Sequence, residues 1–426
     1  MGEELCVIAM VVVFIMGYFL ITIEHITQIN KATIALMIAV LCWLLEFSRG
    51  DVPNAEHMAF LGEHVASISE VIFFLLGALT VVELISVHNG FHLVSRAIHT
   101  TSKRKLLWAV GMLTFFLTPV FGNITTTIVM ISIVRKLLVK SEERLLIGGA
   151  VVIAANAGGV WSPIGDITTT MLWIGGQLTT SHMLRDLFLP SLVCILASLG
   201  YLSLYLDGYF SKEEICFDDK PVDWVAKVVF WLGIGCLVFV PIFKVTTGMP
   251  PFMGILLGLS VLWLVTDLIH CQQDDREHLR VHRVLSRIDL AGVLFFLGIL
   301  LAIDALETAG ILDHFAVWLK EVFVREDLIT IAIGVISAIV DNVPLVAASM
   351  SMYDLSIYPT DSYFWEMIAY CAGTGGSLLI IGSAAGVVFM GLEKANFYWY
   401  MKRLSIPASI GFIGGILTYS IGVAWS

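Results

Sequence analysis

Residues 154–171 read AANAGGVWSPIGDITTTM, a run that sets Asn156, three glycines, Pro163, Asp166 and three consecutive threonines inside an apolar region. In hydrocarbon every backbone N–H and C=O needs an internal partner, so a Gly/Pro-interrupted segment at membrane depth persists only where protein buries it or where it lines a cavity. The break predicts two half-helices whose ends carry free backbone groups, with Asp166 placed where a cation or a proton can be held between them. A plain kink with a hydrogen-bonded Asp is the simpler alternative. Carboxylates at membrane depth are costly and usually functional, which favours a site.

Outward from this run, the chain has 426 residues, of which 58% are hydrophobic and 14% charged. That is the composition of an all-α polytopic membrane protein surrounded by lipid. The formal charge of −11, with no basic stripe, argues against a nucleic-acid partner. Seven cysteines are scattered without a CxxC pair, Cys216 and Cys271 among them, and are read as small hydrophobes. No positively charged region or small-residue cleavage site opens the chain, so its first apolar run is read as a retained span. No HExxH, GxSxG or His-rich cluster occurs, which argues against an enzyme, and nothing calls for a cofactor.

Apolar runs near the ~20 residues that cross a bilayer fall at 5–23, 32–47 and 67–87, then at 106–138 (broken at 119–122), 145–176 and 187–206. A polar link at 207–223 follows. The second half repeats the order with 224–243, 249–268, 288–306, an amphipathic connection, 328–353 (broken at 341–344), 364–392 (broken around 373–386) and 404–425. Residues 1–206 and 224–426 thus match element for element. FFLLG at 73–77 returns as FFLG at 295–298, and Asn123 and Asn342 stand 219 apart. AGGVWSPIGD at 157–166 aligns with TGGSLLIIGS at 374–383 at an offset of 217, which sets Asp166 opposite Ser383. Ordered matches of this kind point to duplication, the usual construction of secondary transporters.

Charge assigns the orientation. If 106–138 and 328–353 are re-entrant hairpins, each half crosses the membrane an odd number of times and the halves are inverted. With the loop of Arg96, Lys103, Arg104 and Lys105 in the cytoplasm, nineteen of the 24 Lys and Arg fall inside, including Lys31, Lys140 and the loop 276–287. The outside set is Arg49, Arg185, Lys244, Lys320 and Arg325, the asymmetry that the positive-inside rule requires. Both termini are then predicted outside. Trp43, Trp224, Tyr398 and Trp399 near span ends are read as interface anchors.

In each half a hairpin tip bearing Asn faces a broken, glycine-rich helix. The first half supplies Asn123, Thr125, Asn156, Asp166, Thr168 and Thr169; the second supplies Asp341, Asn342 and Ser383. All offer oxygen, which suits a hard cation, and no Lys or Arg falls in mid-span. A carboxylate is neutralised by a proton or by a bound cation but not readily by both, so Asp166 and Asp341 can couple two ions. Asp341 also has the position of an N-cap, with Pro344 in the first turn that follows. Glu83 and Asp304 hold equivalent places in the two halves, either as a proton path or as pins between helices. Glu70 and Glu366 are read as interfacial. His57, His64, His88, His92, His99, His278 and His282 are read as loop residues, solvated in preference to pH-sensing.

The motifs INKATIAL, FFLLGALTVVELISVHNGF, NITTTIVMISIVRKL, NAGGVWSPIGDITTTMLW, FFLGILLAIDALETAGIL, DNVPLVAASMSMY and GTGGSLLIIGSAAGVVFMG span nearly the whole chain. They resemble the NhaD-type sodium/proton antiporters, within the ion transporter superfamily that also holds arsenite pumps and dicarboxylate carriers. The resemblance implies a fold of two inverted-topology repeats, each with a re-entrant helical hairpin and a broken transmembrane helix, divided into a scaffold part and a moving part and usually paired as a homodimer. It implies exchange of Na+, or Li+, for H+ across the cytoplasmic membrane by alternating access. Na+ would be held at Asp166, Asp341, Asn123 and Asn342, with Asn156, Thr168, Thr169 and Ser383 functional beside them. The family tends to carry Asp-Asn at the first hairpin tip, where this chain has Gly122-Asn123. An anion carrier of the same fold is the main rival, and the acidic centre without mid-span Lys or Arg counts against it. A channel is the second, less suited to inverted broken helices.

Overall fold

The computed structural model describes residues 2–22, 27, 29–49, 53–96, 98, 100–138, 142–210, 222–270, 284–323 and 325–425. The polar link from 211 to 221, most of the basic loop 276–287, and Lys140, Cys216, Cys271, His99, His278 and His282 lie outside the described residues.

The first half contains α1 (Gly2–Thr22), α2 (Lys31–Phe47) and the long α3 (Asn54–Val87). Hairpin 1 follows as α4 (Lys103–Phe121) and α5 (Asn123–Leu137), then a broken helix, α6 (Glu142–Val160) and α7 (Ile167–Ile174), and finally α8 (Thr180–Asp186) and α9 (Phe188–Ser203). The second half contains α10 (Trp224–Thr247), α11 (Pro251–His270), α12 (Leu290–Thr308) and the amphipathic α13 (Ile311–Val322). Hairpin 2 is α14 (Glu326–Ile336) and α15 (Asn342–Met352), and the second broken helix is α16 (Tyr363–Gly375) with α17 (Ala384–Glu393). The short α18 (Phe397–Arg403) and α19 (Ser405–Trp425) complete it. By length and apolar composition eight described helices can cross a bilayer, and α8 with α9, bent by 40°, makes a ninth.

Packing partners are exchanged between the halves. The third helix of each half packs on the second helix of the other, α12 on α2 and α3 on α11. Within each half α4 packs on α6 as α14 does on α16; between the halves α5 packs on α17 as α15 does on α7, and α9 lies against its counterpart α19. Such cross-pairing is what two inverted repeats related by a two-fold axis in the membrane plane produce. α1, α10 and α11 turn rows of apolar side chains outward, among them Ile8, Ile15, Trp231 and Leu264, and these face lipid. The glycine-rich α6 is buried almost all round.

Several local expectations change. α3 begins at Asn54, thirteen residues before the apolar run at 67, because only Gly62 interrupts its helix formers. Pro119 lies inside α4, and the turn is made by Gly122 at φ +78, ψ 158, an extended positive-φ region that costs non-glycine residues about 1–3 kcal/mol. Trp43 is no surface anchor: it is buried and its Nε1 donates to the Leu301 carbonyl at 2.9 Å. His88 is buried with Nδ1 2.8 Å from the Leu84 carbonyl, not solvated. Glu366 is also buried and not interfacial, accepting from the Tyr419 hydroxyl with His182 Nδ1 3.4 Å from its other oxygen.

Candidate functional site

The two broken helices have the same internal geometry. In the first, backbone meets backbone across the break: a Cβ on Gly159 would lie 2.7 Å from the Gly165 carbonyl oxygen. In the second, a Cβ on Gly376 would lie 2.8 Å from that of Gly382. The residue that restarts each helix has matched extended backbone, φ −141, ψ 153 at Asp166 and φ −147, ψ 154 at Ser383. Glycine is therefore required on both sides, and duplication has preserved the turn while changing the side chain that it presents.

Around these breaks lie the tips of both hairpins. Asn342, at the start of α15, donates through Nδ2 to Asp166 Oδ2 at 3.2 Å. Asn123, at the start of α5, donates to Asn156 Oδ1 at 3.4 Å. The Nδ2 of Asn156 in turn donates to Ser377 Oγ at 2.9 Å and Ser383 Oγ at 2.8 Å. All six side chains are buried. Each hairpin thus addresses the broken helix of the other half, directly in one case and through Asn156 in the other. Helix N-termini and C-termini meet here together, so the backbone favours neither sign of charge, and the carboxylates decide.

The threonines divide by role. Thr169 Oγ1 donates within its own break, with Ser162 and Asp166 carbonyl oxygens both at 2.9 Å, and accepts from the Asp166 N–H at 3.3 Å. It holds the turn. Thr168 Oγ1, two residues from Asp166, is buried with no hydrogen-bond partner among the described residues, as is Thr126 Oγ1 beside Asn123. Buried hydroxyls are seldom left so, and an ion or water reaching Asp166 would find them. Thr125 borders a cleft of about 90 Å³ that runs past Gly122, Asn123 and Asp166 to Asp289 and Gly292 at the start of α12.

One residue of the site escaped sequence reading. Lys31, the first residue of α2, places Nζ 3.2 Å from Asp341 Oδ2 and 4.1 Å from the centroid of the Phe295 ring. In sequence it is one of many cations beside a span; its neighbourhood to a hairpin tip 310 residues away is a tertiary fact. Asp341 keeps its capping role as well, with Val343 N–H donating to Oδ1 at 3.4 Å. Glu83 and Asp304 do not line the cleft. Asp304 lies 3.5 Å from His64 Nδ1, and the Thr308 hydroxyl donates to its backbone carbonyl at 2.8 Å.

With this geometry in place, comparison with known proteins is informative. The profile of the CitMHS family, described as citrate transporter, matches residues 7–365. The chain belongs to the CitMHS family. Within reach of it stand Sodium/proton antiporter 1 of Arabidopsis thaliana, 51% identical over 97% of this chain and 72% of that protein, and Sodium/proton antiporter 2 of the same plant, 48% identical over 96% and 98%. The Na+/H+ antiporter NhaD of Alkalimonas amylolytica is 28% identical over 96% of this chain and 89% of its own. This CitMHS member is therefore a multi-pass membrane transporter, and the resemblance to NhaD-type antiporters read from its motifs holds across the whole length.

Proposed function

We propose that the protein exchanges Na+, or Li+, for H+ by alternating access, with the ion held where hairpin 2 crosses the first broken helix. The observation that carries this reading is the convergence of two carboxylates there: Asn342 bonds Asp166, and its neighbour Asp341 faces the only cation at the site among the described residues, Lys31. A proton and a Na+ compete for these oxygens, Asn342 and Thr168 complete the Na+ shell, and Asn123 with Asn156 and Ser383 forms the second, neutral crossing. Residues 1–206 and 224–426 act as the two repeats, joined by 207–223. The basic loops place the α12 start, and with it the cleft, on the cytoplasmic side of a cytoplasmic membrane, with both termini outside and two copies paired in lipid. Glu83 and Asp304 serve the scaffold, as pins or as proton relays off the main site.

The rival reading is an anion carrier, the activity that the family description names. Two acids against one lysine leave the site negative, which opposes a multiply charged anion. The deciding test is Na+-induced dequenching of a pH-gradient dye in everted vesicles for the native chain, Asp166→Asn and Asp341→Asn. Na+ should collapse the gradient with the native chain and fail to with either variant. A silent native chain that takes up labelled citrate would replace this reading with the rival.

A further inference from the structure

The helices fall into two groups that touch along few contacts. One is α1–α3 with α10–α12; the other is the two hairpins, the two broken helices, α9 and α19. The second group is tied within itself: Arg144 at the start of α6 bonds Glu393 at the end of α17, at 2.6 and 3.1 Å, and α5 packs on α17. Between the groups run the packing of α12 on α15, the amphipathic α13, which lies against α12 on one side and against α14 and α15 on the other, lesser contacts of α3 with α7 and of α10 with α4, and two lysines. Lys244 of α10 donates to the Trp173 carbonyl at 2.5 Å, a group whose charge no transported ion changes. Lys31 of α2 instead holds Asp341, a carboxylate of the site itself.

We propose that Lys31 is a tethered counter-ion that occupies the Asp341 half of the empty site, locks the hairpin group to the α2–α12 group, and is displaced by the arriving ion. The inference rests on the antiport reading above. Without an ion, leaving this conformation requires separating the ammonium from the carboxylate. With Na+ on Asp341 the attraction is cancelled, and the ammonium keeps a further partner, the face of Phe295, which belongs to the α2–α12 group. The empty carrier is thereby kept with its cleft open toward Asp289 and cannot readily depart from that face. The direction this blocks is Na+ entry from the far face followed by return of an empty carrier, which is a leak that would dissipate the gradient.

Two measurements on the full chain test this. In detergent, Na+ should protect native protein against thermal unfolding, and Lys31→Gln should lower the half-saturating Na+ about fivefold by removing the competitor, the scale of a well-placed, partly exposed pair. In right-side-out vesicles given an inward Na+ gradient, labelled Na+ entry should keep a fixed ratio to proton exit for the native chain. Lys31→Gln should raise that ratio of Na+ entry to proton exit about fivefold on the same scale, while Lys244→Gln keeps the native ratio. Unchanged Na+ affinity, an unchanged ratio, or equal uncoupling by Lys244→Gln would each overturn the proposal. If Lys31→Gln does not fold, Lys31→Arg decides: a forked guanidinium is harder to displace, so half-saturating Na+ rises, and an unaltered value refutes the role. A native chain that exchanges nothing sinks the antiport reading, and the detergent arm still judges Lys31.

Discussion

The two crossings of hairpin and broken helix are built on one backbone plan and carry opposite chemistry. Where hairpin 2 meets the first broken helix, Asp341, Asn342 and Asp166 gather two carboxylates. Where hairpin 1 meets the second, Gly122, Asn123 and Ser383 gather none, and the Asn156 amide fills the gap by donating to both serines. Position 373, the counterpart of Asn156, is glycine, and the acidic crossing has the Val160 methyl there, 2.5 Å from where a Cβ would stand and beside Asp166 Oδ2, in place of an amide. Duplication kept the dihedral angles and the glycine contacts of the two breaks, and divergence acted on the side chains around them and on the backbone of the first tip. A symmetric frame can thus hold one ion-binding half and one structural half.

The sharpest way to break this contrast is to remove a charge. Asp166→Asn should cut the Na+ rate constant kcat/KM by about 100-fold, the usual scale for truncating one side of a buried charged contact, measured as Na+-dependent dequenching. A loss under threefold would mean that the acidic crossing is not the site. Next comes Asn156→Ala, which leaves the Ser377 and Ser383 hydroxyls without a donor. We expect a stability loss of about 1–2 kcal/mol, from two interhelical hydrogen bonds near 0.6 each plus the unpaired groups, read by melting in detergent, with Na+ affinity nearly unchanged. Asn342→Ala should raise the KM for Na+ about fivefold through one lost charged hydrogen bond, with kcat largely kept.

Gly122 offers a finer test. Its φ of +78 differs from the −49 at Asp341, so the first tip does not simply lack an acid. Gly122→Ala and Gly122→Asp should both cost about 1–3 kcal/mol for the positive-φ extended backbone, and the Asp variant should gain no second Na+ site. Tighter Na+ binding by Gly122→Asp in a titration would show that the neutral crossing is a dormant copy of the acidic one. The smallest effect is expected at Ser383→Ala, under about twofold in Na+ KM, since one neutral hydrogen bond is lost.

Much of this was legible before any fold was known. Apolar run lengths, the Gly/Pro interruptions at 158–165 and 373–386, the offset of 217 and the sidedness of Lys and Arg are properties of chain order, and the membrane makes them decisive because it forbids unsatisfied backbone. From them followed the helices, the hairpins, the inverted halves and the candidates Asp166, Asp341, Asn123 and Asn342. What order could not supply was partnership across the repeat. That Asn342 reaches Asp166, that Asn156 bridges Asn123 to Ser383, and that Lys31 stands against Asp341 depend on how α2, α6 and hairpin 2 pack. A side chain's type sets which contacts it can make. Which of them it does make is decided by packing, for Asn342 and Lys31 against neighbours hundreds of residues away, and for Thr169 within the turn that its own break folds.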